Sequence, residues 1–471
     1  MCVRYFAIGT DFKFEFYVRR NKETIIIFED IIATTKRKEM YDCCIIGIIQ
    51  EKMIDNNKIT EIEEKVNVWD KSVPVEKSSY LNSAEAVFLN EENVKNPEGE
   101  LKMLDLFCGA GGFSVGCKWS GFESVFGIDH LKPAMDTWMY NHPNALGCLG
   151  DIRGVTPKQV HEKLEAKGIT HIHLITGGVP CQGFSIANRK HNDEDERNFL
   201  FLEYMKYVEE FKPDYIILEN VSGMRSTAGG KFENEIKMYM ESLGYNPTVK
   251  LVNAAEYGVP QTRMRLLFIG VKKNSGLAEK YIFPEGNFEE NPQEGSGKRK
   301  FRTVSDAISD LPKLENKEGK ISYESDANTE YQKMMRGESN YIDQSKSSRL
   351  LNHVAPNHPQ NTIDKIANTK PGEPMYEKFK QRIRLRMDAP SPTQLAGGIR
   401  PQFQFGHPEQ PRGLSIRERA RIQSFPDTYK FMGGMVQERV QTGNAVPPLL
   451  IHEITKSIAE DIRKKYSEGC L

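Results

Sequence analysis

From residue 101 the chain alternates between short apolar runs and longer stretches with helical spacing. "KMLDLF", "ESVFGID", "ALGCLGDI", "HIHLITGG", "YIILENV" and "RLLFIGV" read as buried strands. "PAMDTWMYNH", "PKQVHEKLEAKG", "LFLEYMKYVEEFK" and "FENEIKMYMESLG" place apolar residues at helical intervals. Gly168 closes the second of these helices as a C-cap, and Pro213 stops the third. Strands alternating with helices predict an α/β fold with a mainly parallel sheet covered on both faces. Ligands of such sheets bind beyond the C-terminal ends of the strands.

The flanking regions break this rhythm. Residues 1–72 read as a β-rich module of short segments, such as "FKFEFYV", "TIIIFEDII" and "CCIIGII". Residues 73–100 are polar and end in "NEENVKNPEGE", which reads as a linker. Residues 101–271 carry the α/β alternation. Residues 272–395 are polar and loop-rich, too long for one loop of a compact domain, and read as a second, smaller domain. Residues 396–471 become helical from about 412 and return to the first domain, ending in "AVPPLLIHEITKSIAEDIRKKY".

Composition narrows the class. The 38% hydrophobic and 27% charged content is that of a soluble globular protein, without a membrane-length apolar run or a secretory leader. Eight cysteines without a C-x-x-C pair argue for free thiols and against a zinc ribbon. "HIH" puts His171 and His173 on one strand face, but without an acidic or cysteine neighbour in sequence the pair reads as structural, and no metal site is expected. A net charge of −1 means that any nucleic-acid binding must use segregated charge. "KRKFR" at 298–302, "KQRIRLR" at 380–386 and "RERAR" at 417–421 are the local basic clusters; singly, each reads as a solvated face before a binding site.

Two stretches carry candidate chemistry. In "GGVPCQGFS", Cys181 lies on a turn-rich loop after a strand, an unusual place for a structural thiol. "DLFCGAGGFSVG" is a strand, glycine turn and helix start, where backbone N–H groups face a ligand. Ser114 stands where a dinucleotide fingerprint needs its third glycine, so the turn favours a nucleotide-type ligand without a pyrophosphate. Asp129 and Asp151 end the next two strands, placed to accept from ribose hydroxyls and an adenine amino group. That combination suits S-adenosylmethionine.

"ENV" at 219–221, "QTRMR" at 261–265, "RGLSIRERARIQSFPDTY" at 412–429 and "GNAVPP" at 443–448 follow in order. With the two stretches above, the chain resembles the cytosine-C5 DNA methyltransferases across about 101–465, more weakly through 272–395. The resemblance implies a Rossmann-like S-adenosylmethionine methyltransferase domain and a smaller target-recognition domain, with double-stranded DNA between them. It implies that Phe107, Gly109, Gly111, Asp129, Asp151 and Asn444 line the cofactor site. It implies that Cys181 is the nucleophile, and that Glu219 and Arg265 hold the target cytosine with Arg263 beside them. Cytosine C5 is a weak nucleophile. Thiolate addition to C6 makes it enamine-like, and Glu219, as a neutral acid or proton-sharing partner, relieves charge at N3. The ring edge is unreachable in a duplex, so the base must flip out.

The expected role is that of a modification methylase with a cognate restriction endonuclease, or of a solitary methylase. The enzyme would be monomeric, and cytoplasmic and nucleoid-associated in a prokaryote or nuclear in a eukaryote. A transfer-RNA cytosine methyltransferase, a eukaryotic-type maintenance or chromatin-linked methylase and a non-enzymatic DNA-binding protein share the fold and remain alternatives. The intact Cys181, Glu219, Arg263 and Arg265 weigh against the last. If residues 272–395 read the DNA, exchanging them for the matching region of an enzyme of known target transfers that target. Mapping methylated cytosines in the chimaera checks this, and an active chimaera that keeps the parental site refutes it.

Overall fold

The computed structural model of the chain describes residues 2–8, 11–20, 24–26, 86–179, 199–221, 223, 231–342, 344–396 and 404–468. The chain falls into two units, Met1–Pro74 and Val75–Leu471. In the first unit β1 (Cys2–Ile8), β2 (Asp11–Arg20) and β3 (Thr24–Ile26) form an antiparallel meander. The "CCIIGII" run lies outside the described residues.

The second unit is built on an eight-stranded sheet. Its elements run β4 (Val87–Leu89), β5 (Leu101–Leu106), α1 (Gly112–Lys118), β6 (Phe122–Asp129), α2 (Lys132–Asn141) and β7 (Leu146–Leu149). They continue through α3 (Pro157–Glu165), β8 (Leu174–Gly178), α4 (Phe199–Phe211), β9 (Tyr215–Val221), α5 (Lys231–Ser242), β10 (Tyr245–Asn253) and β11 (Met264–Lys272). The strand order is β10-β11-β9-β8-β5-β6-β7-β4. Strands β5 to β9 are parallel, whereas β11 is antiparallel to both β9 and β10, and β4 to β7. The mainly parallel sheet read from the sequence is therefore present. Chain order reverses between β5 and β8, and the crevice at such a switch point is where open α/β sheets bind ligands.

Both faces are covered. On one, α3, α4 and α5 pack Val160, Leu164, Tyr204 and Ile236 against Leu104, Ile175 and Ile216. On the other, the terminal helix brings Ile451, Ile454 and Ile458 onto Met103, Ile217 and Leu267. Each fully buried Leu or Ile contributes about 1.5–3 kcal/mol.

Three sequence expectations change. The strand β10 was not read from the sequence, because "YNPTVKLVN" contains a proline and no apolar run. It is the outer strand, partly buried along its length, and an edge strand tolerates Pro247. The end of the 73–100 stretch is not a linker. Its strand β4 pairs with β7, Val94 is buried, and Asn90 Nδ2 donates to the Pro143 and Ala145 carbonyls at 2.7 and 3.1 Å. Three strand residues are too few for a periodic signal.

The third change concerns 272–395. After the short strands β12 (Phe288–Glu289) and β13 (Arg299–Lys300), helices α6 (Val304–Ile308) and α7 (Glu330–Arg336) bury Val304, Ile308, Tyr331 and Met335 in the same cluster as the terminal helix. Around α8 (Gln360–Asn368), Ile366 and Met375 form a small cluster of their own. The chain returns through α9 (Ile416–Ile422), α10 (Met435–Asn444) and α11 (Pro448–Glu468).

Removing residues 1–84 should leave the eight-stranded sheet and its melting temperature intact. Removing 1–98 should strip β4 from β7 and lower the melting temperature by more than about 4 °C. Equal melting temperatures for the two truncations would show that β4 contributes nothing.

Candidate active site

The glycine turn leaves β5 at the switch point. Phe107, Gly109 and Gly111 take φ of 57°, 53° and 83°. For Gly109 and Gly111 that is the left-handed region glycine adopts readily, while Phe107 is held there at a steric cost. A Cβ on Gly109 would meet nothing within 4 Å, so the turn opens onto free space there. A Cβ on Gly111 would come within 2.5 Å of the Tyr429 hydroxyl, and one on Gly112 would strike the Val446 carbonyl. The turn is thus backed by the C-terminal return and open on its other side.

Two carboxylates fix the turn. Asp129, at the end of β6, accepts from the Gly109 N–H at 2.9 Å and the Leu131 N–H at 2.8 Å. Asp105 is fully buried beneath it. It accepts from Ser114 Oγ at 2.6 Å, Ser114 N at 3.2 Å and Thr176 Oγ1 at 3.1 Å. Trp138 Nε1 donates in turn to Ser114 Oγ at 2.9 Å. This explains the serine in place of a third glycine: its hydroxyl wires α1 to β5 and α2. Burial raises the Asp105 pKa to about 7; the bonds from Ser114 and Thr176 act against that, and Asp129 adds to it.

At the other end of the crevice, β9 and β11 present Glu219 and Arg265 on adjacent strands. Arg265 Nε lies 2.5 Å from Glu219 Oε1, with both side chains almost covered. A Cβ on Gly178 would lie 3.4 Å from Glu219 Oε2, so the carboxylate reaches the end of β8. From there the chain runs to Cys181, which lies outside the described residues. Asn220, the middle residue of "ENV", donates from Nδ2 to the Val179 carbonyl at 3.3 Å and accepts from Val221 N at 2.8 Å. It ties the exit of β8 to the exit of β9. The available signal was a polar residue in the apolar run "YIILENV".

The remaining expected residues separate. Asn444 is exposed at the end of α10, two residues before Val446 at the glycine turn. Asp151 caps a short turn and pairs with Arg153 at 2.7 Å. Arg263 does not present its guanidinium as Arg265 does. It is 1% exposed and donates to the carbonyls of Gln394 at 3.0 Å and Gly443 at 2.9 Å. Cys108, Cys117 and Cys148 are free and buried, and burial pushes the Cys148 thiol up to about 12.

"RERAR" is neither a solvated face nor a binding patch. Arg417, Arg419 and Arg421 are all buried, with Arg421 on Asp427 at 2.7 Å and Asp310 at 3.1 Å. "HIH" does have an acidic neighbour, supplied by tertiary structure: His171 Nε2 lies 2.9 Å from Asp214 Oδ2, and His173 joins them within 4.8 Å. Lys465 already neutralises Asp214 at 2.6 Å, and His173 Nδ1 accepts the Lys102 N–H at 2.9 Å. These contacts clasp α11 to the strand starts.

The family model for C-5 cytosine-specific DNA methylase matches residues 101–460. The chain belongs to that family. Type II methyltransferase M.AgeI of Thalassovita gelatinovora is 33% identical over 436 residues, covering 76% of this chain and 99% of that protein. Type II methyltransferase M.DdeI of Desulfomicrobium norvegicum is 32% identical over 389 residues, with 76% and 88% covered. Among solved structures, a putative DNA modification methyltransferase encoded within an E. coli prophage superposes with a TM-score of 0.63 at 26% identity, covering 77% of this chain and 99% of that one. This cytosine-C5 methylase is therefore a DNA cytosine-5 methyltransferase on a Rossmann-like sheet.

The buried Asp105 makes a testable contribution to stability. Its folded pKa is raised, so the native state holds a proton that the unfolded state releases from about pH 4 upward. Stability should fall as pH rises from about 4 to 7, by up to ~1.4 kcal/mol per pH unit from this group. Denaturant unfolding of Asp105→Asn should show a flatter pH dependence in that window. Parallel curves for the two proteins would contradict this.

Proposed function

We propose that the enzyme transfers a methyl group from S-adenosylmethionine to C5 of a cytosine flipped out of double-stranded DNA, through a covalent bond between Cys181 and C6. The observation that carries this reading is the Glu219–Arg265 pair at the strand ends, reaching Gly178 at the end of β8, two residues before Pro180 and three before Cys181. Its relatives named Type II methyltransferases support a modification role, with a restriction endonuclease as partner or as a solitary methylase.

The residues present fit the cofactor. Gly109 faces open space, the Asp129 carboxylate lies at the turn and Asn444 is exposed nearby. No element of the turn demands a phosphate. When bound, S-adenosylmethionine supplies an electrophilic methyl group. The chain supplies the rest. The Cys181 thiolate adds to C6, and the electron pair of the C5–C6 bond becomes available at C5. Glu219 hydrogen-bonds N3 and the exocyclic amine, and Arg265 donates to O2, so charge building on the ring is met by fixed partners. Once C5 carries the methyl group, a base such as water removes its proton. The double bond reforms and the thiolate leaves.

Cys181→Ser should abolish methyl transfer while leaving cofactor and DNA binding measurable, because an alcohol is hardly ionised near neutrality. DNA containing 5-fluorocytosine should trap the wild type covalently, since fluorine does not leave as a proton does. Denaturing gels with labelled DNA read the adduct, and trapping by the serine variant would remove the nucleophile assignment.

A further inference from the structure

We propose that Arg263 is a positioning residue that registers the cofactor side of the site against the target-base side. The proposal rests on the reading of Asn444 and the Glu219–Arg265 pair given above. One guanidinium bridges two carbonyls from separate parts of the chain, Gln394 at 3.0 Å and Gly443 at 2.9 Å. Gly443 immediately precedes Asn444. Arg263 itself lies two residues before Arg265, immediately before β11, which carries Arg265 beside Glu219 on β9. The same side chain thus fixes the residue before the cofactor-side amide to the chain that leads into Arg265.

The surroundings make this bridge tight. A Cβ on Gly443 would collide with the Leu395–Ala396 backbone, so that segment and the end of α10 are in direct contact. Arg419 bonds both sides of the seam, donating to the Leu395 carbonyl at 3.0 Å and to Thr442 Oγ1 at 3.1 Å. Gln261 Oε1 accepts the Gln394 N–H at 2.8 Å, and Gln261 Nε2 donates to Gln423 Oε1 at 2.6 Å. Arg263 Nε has no hydrogen-bond partner among the described residues. Burial lowers the proton affinity of the guanidinium, Arg265 acts in the same direction and Glu219 opposes both. Among the described residues Arg263 has no ion pair of its own, and a buried cation so placed is costly for a purely structural clamp. A planar fork is what reaches two carbonyls at once, and a lysine ammonium would not replace it.

The test is a double-mutant cycle with Arg263→Lys and Asn444→Ala. It reads S-adenosylmethionine affinity by calorimetry and methyl transfer to unmethylated plasmid DNA. If Arg263 acts through Gly443 and Asn444, each single variant should weaken cofactor binding ~10-fold, and the double variant should be no worse than about either one. Thermal denaturation monitors folding, and Arg263→Gln replaces the lysine variant should that fail to fold. A double variant ~100-fold weaker, the product of two independent losses, would overturn the proposal. So would an Arg263→Lys enzyme that loses only melting temperature. If Asn444→Ala alone leaves cofactor affinity unchanged, the cofactor-site reading fails and takes this proposal with it.

Discussion

The site depends on an absence of atoms. Gly112 has no Cβ because the Val446 carbonyl fills that space, and Gly116, one helical turn on, is pressed in the same way by Pro448 and Ile451. Two glycines on one face of α1 let the last helix approach its backbone. The chain's C-terminal return is thereby locked against the glycine turn that began the sheet. Tyr429 reaches the turn through this contact, donating to the Ala110 carbonyl at 2.6 Å. A methyl group at Gly112 would push the return away and open the wall of the crevice.

Charge is sorted along that crevice. The turn end holds the Asp129 carboxylate on the Gly109 and Leu131 N–H groups, above the fully buried Asp105. The far end holds Glu219 with Arg265, and Arg263 behind them. That far end offers a donor fork and a carboxyl group side by side. The buried arginines of α9 extend this logic to the region 272–395. Arg421 binds Asp310 and Asp427, while Arg336 also binds Asp310 at 2.6 Å. Such pairs add little net stability over apolar packing, but removing one partner costs about 3–5 kcal/mol. They dictate which helices meet, and so hold α6 and α7 in one arrangement against the catalytic sheet.

The sequence alone determined the parallel strands, their order of appearance, the glycine turn and the identity of the chemical groups. Buried parallel strands are continuous apolar runs, and a glycine-rich turn has a distinctive composition. These are local signals. Tertiary structure decided what depended on partners far along the chain. The edge strands β4 and β10 lack a local pattern because one is short and the other half-solvated. "RERAR" looked like a surface patch until Asp310 and Asp427 were placed beside it, and "HIH" looked unpartnered until Asp214 was. Arg263 and Arg265 share one motif and one residue type, yet the fold turns the first onto two carbonyls and leaves the second with Glu219. A side chain's identity is written in the sequence; the partner that satisfies its charge is chosen only when distant segments pack.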